Sequence, residues 1–323
     1  MDPDLHLGHV PLAAAYAAFA QVEARGSSAS YEEWAAGIAN DESVLALLAT
    51  LPPGRRQPNL VLAAARLHGA DGPYAAFRRT LLDEWERVRA TVLHRTTQTN
   101  EAGRCATLLP VLAGLPQPLA LLEVGASAGL CLLPDRWSYR YDDGTHLDPA
   151  DGPSPVVLPC TLGPGVEAPA AMPQVVWRAG LDLAPVDVTD ADACAWLRTL
   201  VWPEHDDRRV RLEAALDVAR LAPPPVVRGD LLHGLPALAA TAPPEATLVV
   251  MHSAVLAYVE PGARRAFAST VTALPGHWLS NEGRRVLDLP GSGDDDSRFV
   301  VALDGRPVAL ADPHGRALDP LPR

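Results

Sequence analysis

Leu121–Leu130 reads LLEVGASAGL. An apolar run holding one acidic residue, Glu123, runs directly into a Gly-Ala-Ser-Ala-Gly turn. A short, non-alternating apolar run reads as a strand buried on both faces. Gly125 lets the chain turn sharply after that strand, and Gly129 lets the next segment approach strand and ligand closely. A helix opening after such a turn offers unpaired N–H donors and the positive end of its dipole. The stretch therefore reads as the nucleotide-cradling turn of an α/β domain, with Glu123, Gly125, Ser127 and Gly129 as contact residues. The competing reading is a tight turn made only for packing.

Working outward, Pro118–Val124 is the first strand candidate, followed by Gln174–Leu181, Pro225–Arg228, Thr247–His252 and His277–Ser280. Helical stretches lie between them at Asp190–Leu200, Arg208–Leu221 and Gly262–Ala273. Strands alternating with helices predict a mostly parallel sheet with right-handed crossovers. The carboxyl end differs: Ser297–Leu303, Asp304-Gly305 and Arg306–Ala311 spell an antiparallel hairpin closed by an Asp-Gly turn. Residues 131–173 are rich in Pro, Asp and Gly, with strand-like pieces at Trp137–Tyr141 and Pro155–Cys160. They read as an insertion packed over or beside the glycine turn.

Upstream, every periodic segment is helical. Pro11–Arg25, a helix opened by the capping box Ser30-Tyr-Glu-Glu33, Asp41–Thr50, Asn59–His68, Tyr74–Leu93 and Thr99–Leu115 follow one another. We expect an all-helical domain over 1–117 and an α/β domain over 118–323.

Composition narrows the function classes. The net charge of −12 makes nucleic acid a poor default partner. No run of about 18 apolar residues predicts a membrane span. The amino-terminal MDPDLHLGHV lacks a basic stretch followed by an apolar core, so a secretory leader is not expected. Cys105, Cys131, Cys160 and Cys194 are scattered without a C-x-x-C, which fits small buried residues in a reduced, cytoplasmic protein and predicts no metal site. The chain contains no lysine, so the Walker A lysine and every Schiff-base lysine are excluded together. Metalloprotease and α/β-hydrolase readings are set aside here.

Further acidic strand ends give the first turn its weight. Glu123 is followed in order by Gly180-Leu-Asp182, Val227-Arg-Gly-Asp230 and Thr247–Pro261, which contains His252 and Tyr258. Together these resemble the successive motifs of class I S-adenosylmethionine-dependent methyltransferases. The resemblance implies a Rossmann-like sheet and S-adenosylmethionine as cofactor, with Glu123 orienting the loop or the cofactor ammonium. It also implies that Asp182 accepts the ribose hydroxyls and Asp230 contacts the adenine amine. Ser127 departs from it, occupying a position that is usually glycine. The competing reading of both aspartates is a helix cap or an Asx-turn. The chain also resembles, over nearly its full length, a bacterial family known as domain of unknown function 2332. That likeness is carried by Pro53–Asn59, Arg95–Arg104, Glu123–Leu130, Trp177–Asp182, Trp196–Pro203 and His252–Tyr258. It implies a methyltransferase-like fold and assigns no reaction.

Methyl transfer is an in-line displacement, in which an enzyme mainly orients donor and acceptor and excludes water. A base is needed only where the acceptor must lose a proton. Candidates for that chemistry are Glu101, His252, Tyr258 and Glu282. Arg95, Gln98, Asn100, Arg104 and Asn281 are candidates for gripping substrate, the arginines suiting an anionic group. For the segment Arg95–Arg104 a solvated, salt-bridged helix face is the competing reading. Three functions stay open: methyl transfer to a small molecule, a methyltransferase-like enzyme with non-methylating chemistry such as a cyclase or lyase, and a non-catalytic subunit that binds cofactor or a partner. A homo- or hetero-oligomer is compatible with all three.

Overall fold

The structure, a computed structural model, describes residues 11–287, 289–291 and 297–322. Met1–Val10, read above as lacking a leader, lie outside the described residues. The described chain forms two compact units: residues up to Thr99 together with Asp192–Val210, and Asn100–Ala191 together with Arg211 onward.

The first unit is helical. It holds α1 (Leu12–Ala18), which runs on as a π-helical turn over Phe19–Ala24, then α2 (Ala29–Ala39), α3 (Glu42–Leu48), α4 (Pro58–Leu67), α5 (Tyr74–Asp83) and α6 (Trp85–His94). The periodic segment at Tyr74–Leu93 is thus two helices, broken at Glu84, whose backbone leaves the helical region (φ −103, ψ 14). The core gathers Tyr16, Tyr31, Trp34, Ile38, Phe77 and Val88, with Trp34 stacked on Phe77 at 4.5 Å between ring centroids. Helix α8 (Ala191–Leu200) adds Trp196 to this core. The returning strand of chain is fixed by polar contacts as well. Arg66 donates to the carbonyls of Thr199 (2.9 Å) and Val201 (2.7 Å), and Trp202 Nε1 donates to Asn59 (3.0 Å).

The second unit is built on α7 (Cys105–Gly114) and eleven strands. The strands are β1 (Leu119–Val124), β2 (Ser138–Tyr141), β3 (His146–Leu147), β4 (Val157–Leu162), β5 (Val175–Asp182), β6 (Val226–Arg228), β7 (Thr247–Ser253), β8 (His277–Gly283), β9 (Phe299–Leu303), β10 (Arg306–Ala311) and β11 (Ala317–Asp319). Its helices are α9 (Asp206–Leu221, shared with the first unit), α10 (Gly234–Ala239), α11 (Pro261–Thr272) and α12 (Arg284–Leu287).

The strands form one mostly parallel sheet in the order β3-β2-β4-β11-β10-β9-β8-β7-β1-β5-β6. Within it, β6-β5-β1-β7-β8 are parallel and doubly wound, and the winding reverses between β1 and β7. Such a reversal opens a crevice at the carboxyl ends of the two strands. Every residue of β1 is buried, as its unbroken apolar run requires. The Asp304-Gly305 hairpin is present, with β9 antiparallel to both β8 and β10.

Two expectations need correction. No α-helix follows the glycine turn. Short 3-10 turns occupy Leu130–Leu132 and Pro134–Arg136, and β2 begins soon after. Pro134 supplies no N–H and disfavours the helical region for the residue before it; Leu133 accordingly sits at φ −112, ψ 38. The carbonyls that a helix would use are taken: Leu130 O by Trp137 Nε1 (3.3 Å) and Leu132 O by Arg178 (3.0 Å). Second, the expected helix from Thr99 starts only with a 3-10 turn at Ala102–Arg104 and becomes α-helical at Cys105. The insertion places β2 and β4 parallel to one another and joins the sheet through β4 and β11, lengthening the edge remote from β6.

Candidate functional site

The glycine turn is held almost entirely by its own neighbours. Gly125 and Ala126 donate to Leu181 O (2.7 and 3.4 Å), and Gly129 N donates to Ala126 O (2.6 Å). Ser127 N donates to Asp182 Oδ2 (2.8 Å), and Ala128 N to Asn100 Oδ1 (2.9 Å). Asn100 Nδ2 in turn donates to Ser127 Oγ (2.9 Å), so one side chain bridges two residues of the turn. Gly125 has φ +71, and a Cβ there would lie 2.2 Å from Val255 Cγ2. The space beside this glycine is filled by the loop that follows β7.

Ser127 has φ 51, a left-handed conformation that a non-glycine residue adopts at a cost. Ala254, at the same sheet edge after β7, has φ 55. Gly125-Ala-Ser-Ala-Gly129 also satisfies the G-x-S-x-G spacing of a nucleophile elbow, so the hydrolase reading set aside above has a sequence basis. The geometry answers it. Ser127 is buried and engaged by Asn100, no helix follows, and none of its hydrogen-bond partners among the described residues is a histidine.

The register places Glu123, Ser253 and Asn281 on one face at the carboxyl edge of β1, β7 and β8. Glu123 is 6% exposed and its Oε2 has no hydrogen-bond partner. Burial, reinforced by Cys131 and Asp182 nearby, pushes its carboxyl well above the usual carboxylate range. Asn281 is fully buried; its Nδ2 donates to Ser253 Oγ (2.9 Å), while its Oδ1 has no partner. Arg104 reaches the same edge, donating to Ser253 O (3.1 Å) and Pro313 O (2.9 Å) and lying over the Phe299 ring.

Sequence reasoning missed two residues of this cluster. Arg211 of α9 donates to Glu101 Oε1 (3.1 Å), and His314 Nδ1 lies 3.7 Å from Glu101 Oε2. Glu101 Oε1 also caps Gly103 N (3.1 Å). Arg211 carried no signal beyond its place in a helix. The Asp312-Pro-His-Gly315 turn was visible, but nothing local tied it to Glu101 some 200 residues earlier in the chain.

The other candidates separate from this cluster. His252 faces the opposite side of the sheet, against Phe267 and Trp278, in the core formed with α10 and α11. Trp278 Nε1 can only donate, and it donates to His252 Nε2 (2.9 Å). Nδ1 therefore carries the proton and donates to Glu282 Oε1 (2.7 Å). The same oxygen accepts from Val255 N (2.9 Å) and Leu256 N (3.1 Å), so Glu282 and His252 hold the post-β7 loop. Both imidazole nitrogens are occupied. Tyr258 is 52% exposed on a 3-10 turn. Asp182 Oδ1 accepts from Ala184 N (2.7 Å) and Asp230 Oδ1 from Leu232 N (2.8 Å), each closing an Asx-turn. The Leu232 amide is the main reason the Asp230 carboxyl titrates below its usual range. Arg95 and Gln98 belong to the first unit, where Arg95 pairs with Asp192.

Among the described residues, no helix is long and apolar enough to cross a membrane, and no group of three or more His, Cys, Asp or Glu could hold a metal ion. No curated protein and no solved structure matches the chain. A family model described as "uncharacterized protein conserved in bacteria" (DUF2332) matches residues 13–319. With nearly its whole length inside that match, the chain belongs to the DUF2332 family.

Proposed function

We propose that this protein is an enzyme acting on a small polar molecule held at the carboxyl ends of β1, β7 and β8, with proton-transfer chemistry of the lyase or cyclase kind. The observation that carries this reading is the unpartnered buried oxygen of Glu123, sharing a sheet face with the unpartnered Oδ1 of Asn281. A buried acceptor without a donor costs about 1–3 kcal/mol. A ligand bearing hydroxyl, amide or amino donors would remove that cost, at the place where doubly wound sheets take ligands. Thermal-shift screening against a panel of polyols, amino acids and amines tests it. Compounds that stabilise the wild type and lose their effect in Asn281→Leu and Glu123→Leu support the reading. Hits that persist in both variants count against it.

S-adenosylmethionine does not fit the turn in this arrangement. Its amides are satisfied internally, Val255 fills the space beside Gly125, and no helix N-terminus faces it. A second reading, S-adenosylmethionine-dependent methyl transfer to a small molecule, is supported by the order of Glu123, Asp182 and Asp230 at the ends of β1, β5 and β6. It requires the turn to rearrange on binding, and calorimetry with the cofactor separates the two.

A further inference from the structure

We propose that the ligand of this site is a small hydroxycarboxylate, with Arg104 as the counter-charge for its carboxylate and Asn281 as the acceptor for its hydroxyl. The inference rests on the small-molecule site proposed above and names the chemical class that site takes. Arg104 is 4% exposed, and a guanidinium stays charged in a protein at any ordinary pH. Its hydrogen bonds run to carbonyls, from Nη1 to Ser253 O (3.1 Å) and from Nε to Pro313 O (2.9 Å), and it lies 5.6 Å from the centroid of the Phe299 ring. Carbonyl dipoles and a ring face soften the charge without neutralising it. Among the described residues no carboxylate pairs with Arg104. Glu101, three residues earlier, spends Oε1 on Arg211 and on Gly103 N. Asp182 spends its oxygens on Ser127 N and Ala184 N. Glu123 feels the charge of Arg104, but burial outweighs that pull and keeps its carboxyl neutral well past the point where an exposed glutamate ionises. A buried cation therefore stands without an anion, where buried charges are normally paired.

Ser253 ties this cation to the unpartnered acceptors. Its backbone oxygen accepts from Arg104, and its Oγ accepts from Asn281 Nδ2 (2.9 Å). Asn281 Oδ1 and Glu123 Oε2, both buried and without partners, share the sheet face of Ser253. The two carbonyls leave further guanidinium N–H groups for a carboxylate, and such charge-assisted bonds are the strong ones. A hydroxyl beside that carboxylate donates to Asn281 Oδ1 and accepts from the neutral carboxyl of Glu123. An amino acid suits the site less well. Its ammonium would lie beside a guanidinium and find no ionised carboxylate in Glu123. A phosphate suits it less well too, since it would set nearly two negative charges against one arginine with Asp182 and Glu101 close by.

Calorimetry on the full-length protein tests this with matched probes: lactate and glycerate, their neutral amides lactamide and glyceramide, the amino acids alanine and serine, and inorganic phosphate. Wild type is expected to bind the hydroxycarboxylates saturably and each amide at least about tenfold more weakly, because the amide lacks the charge that Arg104 meets. Arg104→Gln is expected to bring acid and amide to equal affinity, and Arg104→Lys to keep part of the preference. Amides that bind wild type as tightly as the acids overturn the assignment, as do amino acids or phosphate that bind more tightly. An acid preference unchanged in a folded Arg104→Gln variant overturns it as well. Amides that bind as tightly as the acids and lose their effect in Asn281→Leu leave the site standing while the anion assignment falls; no response to any probe overturns both. If Arg104→Gln does not fold, the comparison of acid with amide in wild type decides alone.

Discussion

Gly103 and Gly315 meet backbone to backbone, with no room for a side chain on either: a Cβ on Gly315 would sit 1.9 Å from the Gly103 carbonyl oxygen. The obstacle is backbone and cannot rotate away, and φ +82 adds strain for any other residue. Gly315→Ala is therefore expected to destabilise the fold by about 3 kcal/mol or more, at the upper end of single substitutions. Urea titration measures it. A loss below about 0.5 kcal/mol, the range of an ordinary surface change, would mean that the turn is not seated in this way.

Glu123 should make stability depend on pH. Burial holds its folded carboxyl well above the ordinary glutamate value of about 4.5, so below that pH both states are protonated and no penalty exists. As pH rises past 4.5 the unfolded chain releases its proton while the folded chain retains it. Stability then falls by about 1.4 kcal/mol per pH unit until the folded group ionises. Glu123→Gln, which stays neutral, should escape this loss, and its advantage over wild type should grow from pH 4.5 toward neutrality. Paired denaturant titrations across that range check the sign. A difference independent of pH would contradict it.

Glu282 Oε1 collects the His252 ring N–H and two amides of the loop after β7. Glu282→Ala leaves three buried donors without an acceptor, and a loss of about 3 kcal/mol or more is expected. Glu282→Gln keeps an oxygen at that position and should cost clearly less. Thermal unfolding of the two variants compares them; equal losses would argue that the acceptor is not what holds the loop.

The sequence showed the sheet well, because its signals are local. The unbroken apolar run at Pro118–Val124, the alternation of later strands with helices, and the Asp-Gly hairpin each report a neighbour's chemistry. The site was less legible. Asp182 and Asp230 stood at the strand ends read from the sequence, yet side chains two residues from an amide close Asx-turns as readily as they meet a ligand. His252 looked like a base until Trp278, paired through the sheet, claimed its second nitrogen. Pro134 was visible, but its power to stop a helix after Gly129 was outweighed by the glycine pattern. Glu101, Arg211 and His314 come from three distant stretches, and only the folded chain brings them together.

The central claim is that ligand is taken at the Glu123–Asn281 face while the glycine turn stays closed. Isothermal titration calorimetry of the wild type with S-adenosylmethionine and S-adenosylhomocysteine tests it most directly. The account predicts no saturable heat with either compound up to millimolar concentration. Saturable micromolar binding, with density for the nucleoside beside Gly125 and Asp182 in a cocrystal, would contradict it and restore the methyltransferase reading.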